Sequence, residues 1–335
     1  MEENQKKMTF EEALQLVQKS GSMLIRLDPE FQNNFDIVLA SVKNCGEALK
    51  FASKDRQNDP EIVLTAVKQD WRALEYASER LKNDPDIVMA AVKQNGEALE
   101  HASKDRKNDP EIVLAAVQHK RSGLYTASQR LKDNFDIVMA AVKHNGLALC
   151  WASDRLQNNK DIVMAAVKQD GQALAYAYGR LRIDPEIVMT AVKQDGFAFY
   201  WTSEKLRNDP EIILTAVKQN GLALKYVGED LKKDPYYPDI VLAAVQQNGE
   251  ALKFAGEDLK KDPRYPEIVM AAVKQNRWAY DYISDAKLKD DISRVLTLAS
   301  TEEIKNLQEK LTGKLQVLSV EKAAEFLLEL GNPRE

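Results

Sequence analysis

Apolar residues along the chain fall in short clusters that have the spacing of one helical stripe. In the stretch that begins at Glu186, four apolar residues lie at positions i, i+1, i+4 and i+5, which is one face of an α-helix. They are Ile187, Val188, Ala191 and Val192. Asp184 can cap this helix, and Pro185 suits a first turn, where its missing N–H is not needed. The pattern predicts a short helix that buries one stripe.

A second apolar pattern follows directly. Asp195 and Gly196 tolerate positive φ, so we expect them to end the first helix and reverse the chain. Apolar and small residues then recur at helical spacing, which predicts a second helix from about Phe197 to Leu206. Each unit of the pattern is therefore a pair of short helices.

This unit recurs ten times along the chain. The copies start at Asp36, Glu61, Asp86, Glu111, Asp136, Asp161, Glu186, Glu211, Asp239 and Glu267. The first eight starts are 25 residues apart, and the last two intervals are 28. Because one short helix pair buries too little apolar surface to be stable alone, the copies must stack. The predicted fold class is all-α: an α-solenoid of ten two-helix repeats with helical caps at both ends.

The pattern weakens at both ends, which predicts three segments. Residues 1–35 are expected to form an N-terminal helical cap, in which Thr9 and Glu12 form a capping box. Residues 36–287 form the solenoid, and residues 288–335 form a C-terminal cap of three helices. Each 28-residue interval adds a loop with two prolines, and its tyrosines are expected either to cover helix ends or to form a second contact patch.

Composition excludes several classes of function. The formal net charge is −5, from 47 basic and 52 acidic residues, so there is no excess positive field for nucleic acid or anionic lipid. Cys45 and Cys150 are too few for a disulfide framework, and no apolar run approaches the ~20 residues of a membrane helix. No cleavable signal is visible. We expect a cytoplasmic protein with no membrane and no nucleic acid as a general partner.

The run DPEIVLAAV at Asp109–Val117, together with NGEAL at Asn95–Leu99, resembles a repeat family known only as a domain of unknown function. That family is common in bacteria living inside eukaryotic cells and in some protists. The resemblance covers about residues 36–284 and implies no catalytic residue, cofactor or substrate. It implies an interaction scaffold or a host-directed effector, secreted into a host cell without a cleavable signal peptide. Trp71 and Arg277 depart from the pattern, since they replace the turn glycine.

Alignment of the repeats turns single residues into columns. The acidic column from Asp36 to Glu267 lies at helix N-termini, where the helix dipole accounts for it without catalysis. An amide column beside the lysines would either contact nucleic-acid bases or join neighbouring repeats by hydrogen bonds. It comprises Gln69, Gln94, Gln169, Gln194, Gln219, Gln247 and Gln275. His119 and His144 also lie there, but two ligands do not make a zinc site, so we predict no metal.

Two further sets of positions on the second helix carry the functional prediction. An aromatic column, which runs from Phe51 to Tyr282, is expected to be half-buried between repeats. The outward face beside it is charged in the first three repeats and becomes largely apolar from the fourth to the eighth, and contiguous apolar surface marks an interface. The predicted partner-binding residues are Tyr125, Leu147, Cys150, Trp151, Tyr176, Phe197, Tyr200, Trp201, Leu222 and Tyr226. The alternative is that the solenoid or its terminal helices cover this face.

The sequence therefore predicts a non-enzymatic repeat scaffold that binds a protein or peptide, with a host-directed effector as one form of it. No enzyme motif is present, such as a phosphate-binding glycine loop or a metal-binding HExxH. The alternative is a nucleic-acid-binding helical repeat protein that uses the lysine and amide columns. The identity of the partner and the oligomeric state do not follow from the sequence.

Overall fold

The computed structural model describes residues 8–118 and 122–297. Within these ranges the chain forms helices and connecting loops, without a strand. The predictions that concern His119 and the helices beyond residue 298 lie outside them. The chain divides into two compact units, Met1–Gln169 and Asp170–Glu335, and within each unit successive repeats pack side by side. The predicted all-α solenoid is confirmed.

Each repeat contains three consecutive elements, which we name the A helix, the B segment and the C segment. The A helices are Phe10–Lys19, Phe35–Asn44, Pro60–Gln69, Pro85–Gln94, Pro110–Val117, Phe135–His144, Lys160–Gln169, Pro185–Gln194, Pro210–Gln219, Tyr237–Gln247 and Tyr265–Gln275. The B segments are 3-10 helices at Gly21–Arg26, Gly46–Phe51, Trp71–Tyr76, Gly96–His101, Gly146–Trp151, Gly171–Tyr176, Gly196–Trp201, Gly221–Tyr226, Gly249–Phe254 and Arg277–Tyr282, and an α-helix at Ser122–Thr126.

The C segments are single helical turns that lead into the next A helix. They are Pro29–Gln32, Lys54–Gln57, Glu79–Lys82, Lys104–Lys107, Gln129–Lys132, Asp154–Gln157, Gly179–Ile183, Glu204–Arg207, Leu231–Lys233 and Asp258–Lys261. After the last B segment, a further helix runs over Ala286–Thr297.

The A helix Pro185–Gln194 forms as its sequence predicts. The Asp184 carboxylate accepts hydrogen bonds from the backbone N–H groups of Glu186 and Ile187, and Pro185 occupies the first turn. The predicted apolar stripe is buried, and it comprises Ile187, Val188, Ala191 and Val192. Because the same four positions are buried in the neighbouring A helices, the stripes form the core between A helices and B segments.

The predicted second helix, from about Phe197 to Leu206, is not continuous. The 3-10 helix Gly196–Trp201 ends before Ser203, whose backbone is extended, and a separate turn starts at Glu204. The Ser203 hydroxyl accepts a hydrogen bond from the backbone N–H of Leu206 and so caps the new turn. A serine at this position competes for the helical N–H groups and so favours an N-cap over a helix interior.

The turn glycines act differently from the prediction. Gly196 and its equivalents do not have positive φ, which among the described residues occurs only at Gly179 and Gly256. Instead, a Cβ on Gly196 would collide with the carbonyl oxygen of Ala216 in the next A helix, and one on Gly221 would collide with that of Ala244. Glycine is therefore needed for close approach of one repeat to the next.

Two hydrogen bonds recur where a C segment meets the preceding repeat. The backbone N–H of Ser78 donates to the Gln57 carbonyl at 2.9 Å, and its hydroxyl donates to Asn58 Oδ1 at 2.7 Å. Ser103 and Ser128 make the same pair of bonds to their preceding repeats. The repeated serine thus caps its own turn and also fastens it to a neighbour.

The N-terminal segment also has the element order of a repeat. The predicted capping box is present, because Thr9 accepts from the backbone N–H of Glu12 while the Glu12 carboxylate accepts from that of Thr9. The A helix Phe10–Lys19 is followed by the B segment Gly21–Arg26 and the C segment Pro29–Gln32. This order matches that of the ten predicted copies.

Candidate partner-binding surface

The geometry of the B segment decides which side chains face outward. A 3-10 helix has three residues per turn, so residues i and i+3 lie on the same side. In Gly196–Trp201, Phe197 and Tyr200 therefore share the outward side, and they are 37% and 38% exposed. Ala198 and Phe199 are fully buried against the A helices. Phe197 and Tyr200 therefore face outward as predicted, although the segment is a 3-10 helix and not the α-helix on which the prediction was based.

In the second unit, four aromatic side chains from two neighbouring B segments form one cluster. We name Phe197, Tyr200, Trp201 and Tyr226 the ring cluster. The Tyr200 ring centroid lies 4.6 Å from that of Trp201 and 4.7 Å from that of Tyr226, and the Phe197 and Tyr226 centroids are 5.7 Å apart. These pairs meet edge to face, the arrangement that the ring quadrupoles favour. The rings therefore hold one another in defined orientations.

Trp201 is fixed by a short chain of hydrogen bonds. Its Nε1–H donates to Gln172 Oε1 at 3.0 Å, and Gln172 Nε2 donates to Asp195 Oδ2 at 2.6 Å. Asp195 also accepts from the backbone N–H of Phe197 at the start of the B segment. Because Trp201 is half-buried and its indole N–H is already hydrogen-bonded, only part of its ring is accessible to a ligand.

The first unit contains a smaller version of the same arrangement. Tyr125 is 51% exposed, and its ring centroid lies 4.5 Å from that of Trp151 in an edge-to-face contact. Lys132 Nζ lies 5.8 Å from the Tyr125 ring centroid, and burial lowers the pKa of this lysine from its ordinary value. We name Tyr125 and Trp151 the ring pair.

The remaining predicted site residues lie at the edges of these groups. Leu147 and Cys150 are half-buried in the B segment Gly146–Trp151, next to Trp151. Leu222 is half-buried in the B segment that carries Tyr226, and Tyr176 is partly exposed on the segment before Trp201. Tyr176 makes no ring contact within the described residues. The structure thus brings together Phe197, Tyr200, Trp201 and Tyr226, and separately Tyr125 and Trp151.

The aromatic column is half-buried as predicted, with Tyr176 and Tyr282 slightly more exposed than the others. Beside this column, the outward positions of the B segment Gly249–Phe254 are charged, unlike those of the ring cluster. There, Glu250 and Lys253 occupy the two outward positions and form an ion pair of 3.1 Å. Leu222 and Lys225 are their counterparts in the preceding repeat. Lys225 was not among the predicted site residues. A comparison of these two positions between repeats would have shown that Lys225, unlike Lys253, has no glutamate three residues before it.

The amide column joins neighbouring repeats. Gln69 Oε1 accepts from the Gly46 backbone N–H at 2.5 Å, and Gln247 and Gln275 accept in the same way from Gly221 and Gly249. Gln94 uses its amide differently, because it donates to the Val67 and Lys68 carbonyls. These four amides are therefore committed to the stack, which confirms the interpretation as inter-repeat hydrogen bonding for them.

A groove on the A-helix side was not anticipated from the sequence. It lies between Phe135–His144 and Lys160–Gln169, has a volume of about 530 Å³, and has Met139 and Met164 on its walls. Lys143 and Lys168 stand on one rim, while Asp161 also lines the groove. Its charge is therefore mixed. Among the described residues, no group of three or more His, Cys, Asp or Glu side chains could hold a metal ion.

In the 28-residue repeats the tyrosines cover the core. Tyr237 is 3% exposed, its hydroxyl donates to the Ala255 carbonyl at 3.0 Å, and burial raises its pKa above the ordinary value. Tyr265 is also buried, whereas Tyr236 is 68% exposed. Arg264 pairs with Asp239 at 3.0 Å, so this surface is neutralised internally. The covering interpretation is confirmed for Tyr237 and Tyr265.

The repetition of A helix, B segment and C segment defines an α-solenoid repeat protein. The chain belongs to the family described as Domain of unknown function (DUF4116), which matches residues 10–56, 59–107, 109–153, 134–182, 184–232 and 237–289. The first match starts at Phe10 and so includes the segment predicted as an N-terminal cap. Neither a curated protein nor a solved structure matches the chain. In the described part of the chain, no helix has the length and apolar content needed to cross a bilayer.

Proposed function

We propose that this protein is a non-enzymatic repeat scaffold that binds a protein or peptide through the ring cluster. The observation that supports the proposal is a group of four mutually oriented rings, two of which, Phe197 and Tyr200, remain more than a third exposed. Interfaces draw most of their binding energy from a few aromatic residues in such clusters. Rigid rings also lose little conformational entropy when a partner binds.

The repeats themselves provide the contrast that favours a binding role. The two outward B-segment positions hold Glu47 and Lys50 in the B segment Gly46–Phe51, but they hold Phe197 and Tyr200 at the ring cluster. A charged pair at these positions is compatible with the fold, so the rings are not required for stacking. Contiguous exposed apolar surface is unfavourable in water unless a partner covers it.

The cellular setting is the cytoplasm, or a host cell if the chain is exported. The chain has only two cysteines, Cys45 and Cys150, too few for a disulfide framework, which is typical of a reducing compartment. The role as a host-directed effector is supported only by the family resemblance. It does not change the predicted mode of binding.

The test is to give the ring cluster the charged residues of the other repeats. Phe197→Glu combined with Tyr200→Lys should keep the circular dichroism spectrum and melting temperature but abolish capture of the partners that the native protein retains from a cell extract. Partners are identified by mass spectrometry and confirmed by calorimetry with the purified protein.

Tyr178→Ser is the matched control. Tyr178 is an exposed tyrosine outside the ring cluster, and Ser153 and Ser203 occupy the equivalent position in neighbouring repeats. Capture should be unchanged in this variant. If the Phe197→Glu, Tyr200→Lys protein keeps its fold and also its partners, the ring cluster is not the binding site.

A nucleic-acid-binding scaffold is the second candidate, supported by the exposed Lys143 and Lys168 beside the A-helix groove. It ranks lower because Asp161 lines the same groove and because four amides of the adjacent column bond neighbouring repeats. Titration of random RNA and DNA at rising salt separates the candidates. Binding that weakens steeply with salt, and that Lys143→Glu with Lys168→Glu removes, would favour this second function.

A further inference from the structure

Two cations lie against the ring cluster. Lys225 Nζ is 5.6 Å from the Tyr226 ring centroid, and the Arg207 guanidinium carbon is 6.0 Å from that of Tyr200. Both contacts are within the range of cation–π attraction. Neither cation has a carboxylate partner among the described residues. The surface next to these cations therefore combines the apolar rings with two positive charges.

The next repeat shows what is missing at Lys225. Lys253 occupies the equivalent position, lies 5.1 Å from the Phe254 ring centroid, and pairs with Glu250 at 3.1 Å. Leu222 stands where Glu250 stands, so the same lysine over the same kind of ring lacks its intramolecular carboxylate. Leucine in place of glutamate at this one position therefore has two effects. It leaves Lys225 without a carboxylate partner, and it adds an apolar side chain beside the ring cluster.

Arg207 differs from two of its counterparts in the same way, whereas Lys107, whose Nζ donates to the Glu100 carbonyl, resembles it. Lys82 pairs with Glu79 and Lys232 pairs with Glu229, each three residues earlier in its C segment. Arg207 instead donates to the Tyr200 carbonyl at 2.7 Å, which closes the end of the B segment, while its Nε is buried without a hydrogen-bond partner. The exposed Glu204 shares its C segment, but no ion pair between the two is present in the described structure.

Three other carboxylates of these repeats are already occupied. Asp195 accepts from Gln172 and from the Phe197 backbone, Asp209 caps the next A helix, and Glu229 pairs with Lys232. None of them moves to Lys225 without the loss of an existing bond. A carboxylate from outside the chain has no such cost.

We propose that the ring cluster recognises an acidic peptide segment in which a large apolar side chain lies next to glutamate or aspartate. This inference rests on the proposed function and specifies its partner. The apolar side chain packs on Phe197, Tyr200 and Leu222, while the carboxylate takes the place beside Lys225 that Glu250 holds beside Lys253. Since the whole protein carries a net charge of −5, long-range attraction does not assist the peptide, and the preference must come from this local pairing.

The experiment uses three labelled octapeptides and the full-length chain. The acidic peptide is Gly-Glu-Glu-Leu-Phe-Glu-Glu-Gly, and the other two carry Gln or Lys in place of every Glu. Fluorescence anisotropy at low salt should show the acidic peptide binding about fivefold more tightly than the Gln peptide, with this difference shrinking as salt screens the pairs. The Lys peptide should bind most weakly.

Leu222→Glu is the decisive variant, because it restores the ion pair that the chain itself shows at Glu250 and Lys253. It should bring the acidic and Gln peptides to within about twofold of each other. Gln18→Glu adds the same charge at an exposed position of the first A helix and should leave the preference unchanged. Circular dichroism confirms that both variants are folded.

The outcomes separate this inference from the proposed function. If the acidic and Gln peptides bind equally, and Phe197→Glu with Tyr200→Lys weakens both, the ring cluster binds peptides but the acidic preference is wrong. If Leu222→Glu and Gln18→Glu reduce acidic binding equally, Lys225 is not the partner and the inference fails. If no peptide binds, the inference is overturned, whereas the proposed function is still judged by its own capture experiment.

Discussion

At the scale of single residues, a glycine at the start of most B segments controls how closely neighbouring repeats approach. The Gly221 backbone N–H donates to Gln247 Oε1 at 2.6 Å, and the space for a Cβ is taken by the Ala244 carbonyl. Trp71 occupies the equivalent position in the first unit, and there Gln94 of the next repeat donates to backbone carbonyls instead. Neighbouring repeats are therefore joined in two different ways, and only the one in which the glutamine accepts from the backbone N–H requires glycine.

Gly221→Ala should destabilise the protein by about 1–3 kcal/mol, because overpacking at a repeat junction forces the neighbouring A helix to shift. Gly179→Ala is the control, since its Cβ would meet nothing within 4 Å and would cost only the strain of φ +48°, about 1 kcal/mol. Chemical denaturation measures both. A loss of less than about 0.5 kcal/mol for Gly221→Ala would show that close approach does not select glycine at position 221.

At the scale of elements, the longer repeats show how a loop is adapted to the core. Tyr237 starts its A helix and is buried, while Tyr236, one residue earlier, is exposed. The Tyr237 hydroxyl reaches the Ala255 carbonyl just after the next B segment and so bonds one repeat to the following one. A residue of the longer connection thus joins the core and bonds to the following repeat.

Tyr237→Phe should cost about 1 kcal/mol, because it removes this hydrogen bond and leaves a buried carbonyl without its donor. Tyr236→Phe should change stability by less than about 0.5 kcal/mol, since its side chain is solvated. Thermal or denaturant unfolding compares the two. If Tyr236→Phe lowered the free energy of unfolding more than Tyr237→Phe, Tyr237 would not be the tyrosine that stabilises the core.

The same pair of variants has a pH signature. Burial raises the pKa of Tyr237, so above about pH 10 the unfolded chain loses this proton more readily than the folded one. The unfolded state then binds fewer protons, and stability falls as pH rises through this range. The fall should be shallower in Tyr237→Phe and unchanged in Tyr236→Phe. Identical slopes in all three proteins would rule out Tyr237 as a contributor.

At the scale of the whole molecule, each repeat packs mainly on its immediate neighbours in the sequence. Within the second unit each A helix packs on the next, as Pro210–Gln219 does on Tyr237–Gln247, and each B segment packs on neighbouring B segments. Among the described residues, Phe199 is the largest fully buried side chain, and Leu174 and Leu224 occupy the same position in the adjacent repeats. In such arrays, stability is a sum of repeat and nearest-neighbour contributions.

Phe199→Ala should therefore cost about 3–5 kcal/mol, but its effect should be local. Hydrogen–deuterium exchange should rise mainly in the repeats around Gly196–Trp201 and much less in Tyr265–Gln275. Phe199→Leu, which copies the adjacent repeats, should alter exchange only slightly. A uniform rise over residues 170–297 would mean that the unit unfolds as a single cooperative block.

The sequence by itself determined the A helices, their caps and their buried stripe. Asp184 caps backbone N–H groups two and three residues away, and Pro185 occupies the first helical turn, so both act locally. Regular repetition then requires stacking, because no single repeat can bury its apolar face. The outward position of Phe197 and Tyr200 also followed, since residues three apart share a side in both kinds of helix.

Only the tertiary structure decided how these parts meet. Neighbouring tyrosines at 236 and 237 differ in burial, Gly196 serves close approach instead of positive φ, and Trp201 bonds to Gln172, 29 residues away in sequence. Lys225 lacks a carboxylate because the residue that would supply it is Leu222. Such features depend on distances between atoms of successive repeats, which hydrophobic periodicity cannot specify, because it records which face a residue occupies and not what lies opposite.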